Sequence, residues 1–304
     1  MKAAAPASIA LGEAPPGGVV HRFALEAMAT VFEVHCVHDD AGYARQAAHA
    51  AFDLVDRLEQ NLSRFIANSD IARVNDLTAG RSTRVNPSTL ECLEIARHMF
   101  DVTGGAFDVS IGSGLDGLHL DFDDFTVLAH ADGIRLDLGG IGKGFAVDRM
   151  AELLAEWEIR RALVHGGFSS VLALEPPPGS DGWPLTLRAP PPGPQGILAR
   201  ISARQMALSA SGTRKGDHIV DPSTGRAANG RAAWVALTDP DPQSSLAAVA
   251  EGFSTAFMVL PVHDIEEICR RFPGLEGWLA CGPEEGGRPQ TSRLHLMASP
   301  NEPG

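Results

Sequence analysis

The sequence predicts an α+β fold on three observations: short apolar runs suited to strands outnumber the helical stretches, the two kinds do not alternate as a doubly wound sheet requires, and Pro and Gly clusters punctuate the second half. With 304 residues, 44% of them apolar, the chain can bury a substantial core as one large domain or two intimate lobes. No repeat of fixed period is visible.

Residues 1 to 20 are rich in Ala, Pro and Gly and are expected to be mobile and to carry no chemistry, as is the tail over 283 to 304; residues 21 to 282 form the expected folded domain. The alternation of Thr30-Val31-Phe32-Glu33-Val34-His35 suits a half-buried strand. Ala44, Ala48, Ala51, Phe52, Val55 and Leu58 recur at three-to-four spacing and predict a helix over 42 to 61. Asn86-Pro87 reads as an N-cap followed by Pro at the first helical position, opening a helix that stops at Gly104-Gly105. Residues 135 to 138 read as a short strand running into Gly139-Gly140, followed by a helix from about Lys143 with Val147, Met150, Leu154 and Trp157 inward. Strands follow at 162 to 164, 171 to 174, 185 to 187, 206 to 208 and 234 to 237. A helix carrying Leu246, Val249, Ala250, Phe253 and Phe257 precedes a last strand at 277 to 280.

A net charge of -13, spread along the chain, gives no basic face for nucleic acid or anionic lipid. A phosphorylated ligand would need a metal ion or backbone N–H groups to offset that repulsion. Cys36, Cys92, Cys269 and Cys281 are far apart and form no zinc pattern, which predicts reduced, mostly buried thiols. The N-terminal stretch shows neither a signal-peptide core nor a lipid-attachment cysteine, so a cytoplasmic location without membrane insertion is expected.

Four motifs have the makings of chemistry, and each also has an ordinary explanation. Leu138-Gly-Gly-Ile-Gly-Lys-Gly-Phe145 invites a P-loop reading, but Gly144 stands where that motif needs Ser or Thr for magnesium. What remains is a glycine turn whose following N–H groups can face a phosphate, or simply close strand–helix packing. Glu251 and Thr255 lie one helical turn apart on one face, hard oxygen donors that suit magnesium or an ordinary polar face. His218 and Asp221 flank the turn signal Asp-Pro-Ser-Thr-Gly, where a His can act as a general base or simply sit at the surface. In Thr103-Gly-Gly-Ala-Phe-Asp108, glycine termination of a helix explains the first half and leaves Asp108 unexplained.

Together and in this order, these segments resemble the ApbE family of FAD:protein FMN transferases. The matching stretches are Met28 to Glu33, Leu62 to Phe65, Ser69 to Asn75, Thr103 to Asp108, Leu136 to Asp148, Ala162 to Gly167, Ser211-Gly212 with His218 to Gly225, and Glu251 to Ala256. The resemblance implies one domain of two intimately packed α/β lobes with mixed or antiparallel sheets. It implies that Phe65 lies by the isoalloxazine, that Met28 lines the FAD pocket, and that Ala106, Phe107, Asp108 and Asp137 hold FAD. It also implies Mg²⁺ on the Gly140 carbonyl and the side chains of Glu251 and Thr255. The family usually has Asp at position 251, Gly at 29, Thr at 210 and an acidic residue at 168, where this chain has Glu251, Ala29, Ala210 and Phe168.

The expected reaction is Mg²⁺-dependent cleavage of the FAD diphosphate, with FMN passing to a Thr or Ser hydroxyl of a target flavoprotein and AMP leaving. His218 is the candidate to accept the hydroxyl proton, with Asp221 and Thr224 orienting it or shaping the loop. Lys143 would neutralise diphosphate charge or pair with a local carboxylate. The rival readings are an FAD pyrophosphatase, with water as nucleophile, and a non-catalytic FAD-binding protein.

Overall fold

The computed structural model describes residues 7–12, 18–188, 196–212, 219–228, 230–238 and 245–281, and the backbone of 292–297. Among them the chain runs β1 (Ser8–Leu11), β2 (Val20–Ala27), β3 (Thr30–Val37), α1 (Ala41–Leu62), α2 (Asp70–Asn75), β4 (Ser82–Arg84), α3 (Pro87–Val102), β5 (Leu118–Asp121) and β6 (Thr126–Ala129). It continues with α4 (Gly142–Glu156), β7 (Ala162–Gly166), β8 (Ser170–Ala173), β9 (Trp183–Arg188), β10 (Ile197–Ala203), β11 (Met206–Gly212) and β12 (Arg231–Leu237). Last come α5 (Leu246–Ala256), α6 (Val262–Arg271), β13 (Leu275–Cys281) and β14 (Ser292–Met297).

The central sheet has eight strands in the order β14-β13-β12-β11-β8-β7-β3-β2, each pair antiparallel. This is the α+β arrangement expected, with the antiparallel alternative realised. Alternation in β3 divides its side chains between two faces. Phe32, Val34 and Cys36 join the main core with α1, α4 and α5, while the opposite face of the sheet is covered by the three-stranded sheet β1-β9-β10 around Trp183 and Leu185. A third sheet, β4-β6-β5, forms within residues 82–129. The first and last stretches of the chain thus both supply strands: β1 pairs with β9 and β14 with β13.

Local signals fix the helices. Asn86 caps α3 by accepting the Ser88 N–H, Pro87 opens it, and Gly104 and Gly105 end it at φ 59° and 83°. Asp40 caps α1 in the same way, accepting from Gly42 and Tyr43. Residues 135 to 137 do not form the strand their alternating pattern suggests, and Leu138–Gly140 is a 3-10 turn. The reason is local: the Asn75 side chain donates to the Leu136 carbonyl at 3.0 Å and accepts its N–H at 2.6 Å, and the Asp137 N–H goes to Val109. A side-chain amide thereby serves backbone groups that a neighbouring strand would otherwise pair.

The β2–β3 hairpin turns on Met28 and Ala29, both left-handed at φ 49° and 56°. A Cβ there costs energy that glycine avoids. Ala29→Gly is therefore expected to stabilise the protein by about 1 kcal/mol, read as a higher denaturant midpoint at unchanged slope. A lower midpoint would count against strain at this turn.

Candidate functional site

The site is built where α4 meets α5. The Asp148 carboxylate of α4 accepts the N–H groups of Ala247 and Ala248, each at 2.9 Å, and so caps α5 from a neighbouring helix. Burial pushes this carboxyl up to about 7 against those two donors. The helices meet at Gly144, where a Cβ would stand 2.3 Å from the Ala247 carbonyl oxygen. Close packing thus accounts for the residue that breaks the P-loop pattern.

One turn along α5, Glu251 is 4% exposed. Its Oε2 accepts the Gly144 N–H at 2.6 Å, while Oε1 takes the Lys143 ammonium, which also donates to the Gly139 carbonyl at 3.3 Å. Lys143 therefore pairs with a local carboxylate, one of its two expected roles. Thr255 reaches the glycine turn from the next turn of α5: a Cβ on Gly140 would lie 3.4 Å from Thr255 Oγ1 and 3.3 Å from the Phe107 ring. Gly140, Glu251 and Thr255, more than a hundred residues apart in part, come together around one turn. Ser211 and Ser254 extend the hydroxyl cluster, with Ser211 Oγ at 2.9 Å from Ser254 Oγ and 3.5 Å from Thr255 Oγ1. Ser209 lies 3.0 Å from the same Ser254 oxygen. Sequence reasoning missed this cluster, although Ser209 and Ser211 sit two apart on one strand face.

Of the residues expected beside a flavin, Asp137 opens that turn, Phe107 packs on Gly140, and Phe65 is joined to it through Arg64. Phe65 is 81% exposed, with the Arg64 guanidinium 4.5 Å from its ring centroid. Arg64 Nε donates to Asp137 Oδ2 at 3.0 Å, and Asp137 Oδ1 accepts the Gly139 N–H at 2.9 Å. Arg64 thus ties the exposed ring to the glycine turn, a link the sequence did not reveal. Met28 sits at the hairpin tip, partly buried against the main core together with Ala106, and Phe107 is buried. Asp108 spends its carboxylate on its own loop: Oδ1 accepts from the Ser110 N–H at 2.7 Å and hydroxyl at 2.6 Å, and Oδ2 from the Gly112 N–H at 2.7 Å.

That loop meets the Asp221 turn, since a Cβ on Gly112 would be 3.3 Å from the Pro222 carbonyl oxygen. Asp221 accepts from the Ser223 hydroxyl at 2.7 Å, the Ser223 N–H at 2.9 Å and the Thr224 hydroxyl at 2.9 Å. The Ser223 hydroxyl bond leads in holding its carboxyl below the usual range. Asp221 and Thr224 thus form one turn, while His218 lies outside the described residues. The cysteines are free; Cys36, Cys92 and Cys269 are buried, and burial pushes Cys36 up to about 11 and Cys269 to about 12. Among the described residues, no helix is long and apolar enough to cross a membrane.

An antiparallel sheet backed by crossing helices, with a glycine turn, a buried carboxylate and a hydroxyl gathered at the crossing, defines an α+β protein whose polar site lies on its helix layer. The model of the ApbE family matches residues 28–124 and 113–279, and the chain belongs to that family. It is similar to the FAD:protein FMN transferase of Treponema pallidum, 26% identical over 287 residues, covering 78% of this chain and 77% of that one. It is also similar to that of Vibrio cholerae serotype O1, 24% identical over 246 residues, covering 68% and 71%. Its fold matches the apo flavinyl transferase ApbE of Pseudomonas stutzeri with a TM-score of 0.77 at 21% identity, over 92% of this chain and 95% of that one. The ApbE protein of Thermotoga maritima matches with a TM-score of 0.74 at 22% identity, over 90% and 97%.

Proposed function

We propose that this chain is an FAD:protein FMN transferase: it cleaves the diphosphate of FAD and passes FMN to a Thr or Ser hydroxyl of a target flavoprotein, releasing AMP. The observation that carries this reading is the gathering of Gly140, Glu251 and Thr255 at the turn that Arg64 and Asp137 join to the exposed Phe65. Membership of the family and the names of the relatives support it.

A carbonyl, a carboxylate and a hydroxyl are the hard oxygen donors that Mg²⁺ takes, and the space at Gly140 that a Cβ would fill lies against Thr255. These residues fit the ion, and Gly140, Glu251 and Thr255 would hold it. When bound there, it would neutralise charge developing on the diphosphate. The Lys143 ammonium beside Glu251 Oε1 supplies positive charge at the same carboxylate, so its side chain can turn to a phosphate when a divalent ion takes its place. Ser211 and Ser254 orient the Thr255 hydroxyl through their mutual contacts. Phe65 offers an apolar ring face for the isoalloxazine, while Asp137, held by Arg64 and Gly139, and the Ala106 to Asp108 loop border the nucleotide. His218 accepts the acceptor-hydroxyl proton, and the bonded pair Asp221 and Thr224 orients it or shapes the turn that follows.

The test is to incubate the protein with FAD, Mg²⁺ and a candidate flavoprotein domain and to measure AMP release together with a covalent FMN mass addition. AMP with no adduct would identify hydrolysis by water in place of transfer, and FAD retention with neither would identify a binding protein. Phe65→Ala is expected to weaken FAD binding about tenfold, the scale of one aromatic contact. Flavin fluorescence titration measures this directly, and unchanged affinity would remove Phe65 from the flavin site.

A further inference from the structure

The sheet face turned away from α4 and α5 buries a polar cluster that the transfer reading does not use. Glu33 and His35 of β3 and His165 of β7 all point toward the side covered by β1, β9 and β10, and are 5%, 6% and 7% exposed. Strand register brings them together: Glu33 pairs directly opposite His165, and His35 follows two residues along the same face. His35 Nε2 lies 2.9 Å and His165 Nε2 3.2 Å from the same oxygen, Glu33 Oε2. One ligand atom from each of the three lies within 4.8 Å of the others. Beside them is a cavity of about 270 Å³, walled largely by apolar groups such as Ile9, Leu163 and Phe168.

Without a metal ion this cluster leaves polar groups unsatisfied. The Arg22 guanidinium also donates to Oε2, at 2.9 Å, so three nitrogens aim at an oxygen with two lone pairs. His165 Nδ1 is buried with no hydrogen-bond partner among the described residues, so either neutral tautomer of that ring leaves one nitrogen unserved. Burial lowers the pKa of both imidazoles and so favours the neutral form that ligates metals. Burial acts to raise Glu33, but Arg22 and His35 together hold it down to about 2, so the third donor is ionised.

We propose that Glu33, His35 and His165 form a transition-metal site, of Zn²⁺ type, separate from the Gly140 turn. Two imidazole nitrogens and one carboxylate favour Zn²⁺ over Mg²⁺, whose sites are built from oxygen. In a tetrahedral zinc site with bonds of about 2.0–2.1 Å the ligand atoms stand roughly 3.3 Å apart, close to the 2.9 and 3.2 Å that separate the two imidazole nitrogens from Glu33 Oε2. A set of three protein ligands leaves a fourth position for water or a small anionic ligand, which the adjoining cavity has room to hold. The Arg22 side chain, 65% exposed, balances Glu33 in the metal-free protein and is free to withdraw toward water when the ion enters.

The test uses the full-length protein, stripped with chelator and titrated with Zn²⁺ by calorimetry in saturating Mg²⁺, which occupies the oxygen site. The wild type is expected to bind one equivalent of Zn²⁺, with affinity roughly 100-fold or more weaker in His35→Gln/His165→Gln and unchanged in Thr255→Val. Circular dichroism checks that the double variant folds. Should it not fold, Co²⁺ added to the wild type is expected to give the visible absorption of a four-coordinate site. No Zn²⁺ binding by the wild type, equal affinity in a folded double variant, or a Co²⁺ spectrum like that of the free hydrated ion would overturn the assignment. No step uses FAD, so these outcomes are independent of the transfer reaction.

Discussion

Gly144→Ser is expected to lower the unfolding free energy by about 3 kcal/mol, at the upper end of what an overpacked core side chain costs. The new Cβ would stand 2.3 Å from the Ala247 carbonyl oxygen, 2.6 Å from its carbon and 2.7 Å from the Ala248 nitrogen, all backbone atoms that cannot rotate away. The helices would have to separate, pulling Asp148 from the two N–H groups it caps and Glu251 from the Gly144 N–H. Chemical denaturation reads the stability, and a loss below 1 kcal/mol would show that the helix crossing can relax.

Glu251→Leu is expected to cost about 3 kcal/mol, because it leaves the Lys143 ammonium and the Gly144 N–H without their partner in a mostly buried place. Lys143 is 22% exposed on its side chain, which puts the cost at the lower end of the range for broken buried pairs. Pairing it with Lys143→Met should recover much of the loss, since replacing both charges avoids the stranded ammonium. A double-mutant cycle in denaturant decides it, and additive losses would mean that the two side chains do not act as a pair. Under the proposed function the single variant also loses FAD cleavage, while Lys143→Met alone separates the roles of the two residues.

Legibility in the sequence followed the range of the interactions. Helices α1 and α3 were readable because their periodicity and capping residues lie within one segment, and strands β7 to β9, β11 and β12 because each is a compact apolar run. Strands β4 and β5 are short and mix polar with apolar residues, so they set up no clear pattern, whereas β6, Thr126-Val-Leu-Ala129, is an apolar run much like β8 and was overlooked. β2, an edge strand, does alternate, with exposed Arg22, Ala24 and Glu26 between half-buried Phe23 and Leu25, and this period-two pattern was overlooked. Residues 135 to 138 misled because Arg135-Leu136-Asp137-Leu138 alternates polar and apolar as a strand does, while the Asn75 side chain, 61 residues away in sequence from Leu136, takes the place of a partner strand.

At the site, the Glu251 and Thr255 pair was visible in its helical spacing, and the glycine turn in its composition. Asp148 was hidden inside a helix whose pattern gave no reason to single out a carboxylate, and Arg64 meets the Asp137 carboxylate only through the fold. The triad of Glu33, His35 and His165 was half visible, as two residues on one face of β3. Its third member is supplied by the β3–β7 pairing, which no local pattern discloses.

The cap on α5 has a consequence for how the protein is made. Asp148 is 99 residues from Ala247, and Lys143 is 108 from Glu251. Contacts that close such long loops form slowly, because chain entropy is lost before they return any stabilisation. During synthesis the glycine turn and α4 leave the ribosome well before α5 exists, so the nascent chain carries Asp148 and Lys143 without the groups they bond in the folded protein. The turn takes its working shape only when the last third of the chain arrives, making the polar site one of the latest parts of the molecule to assemble.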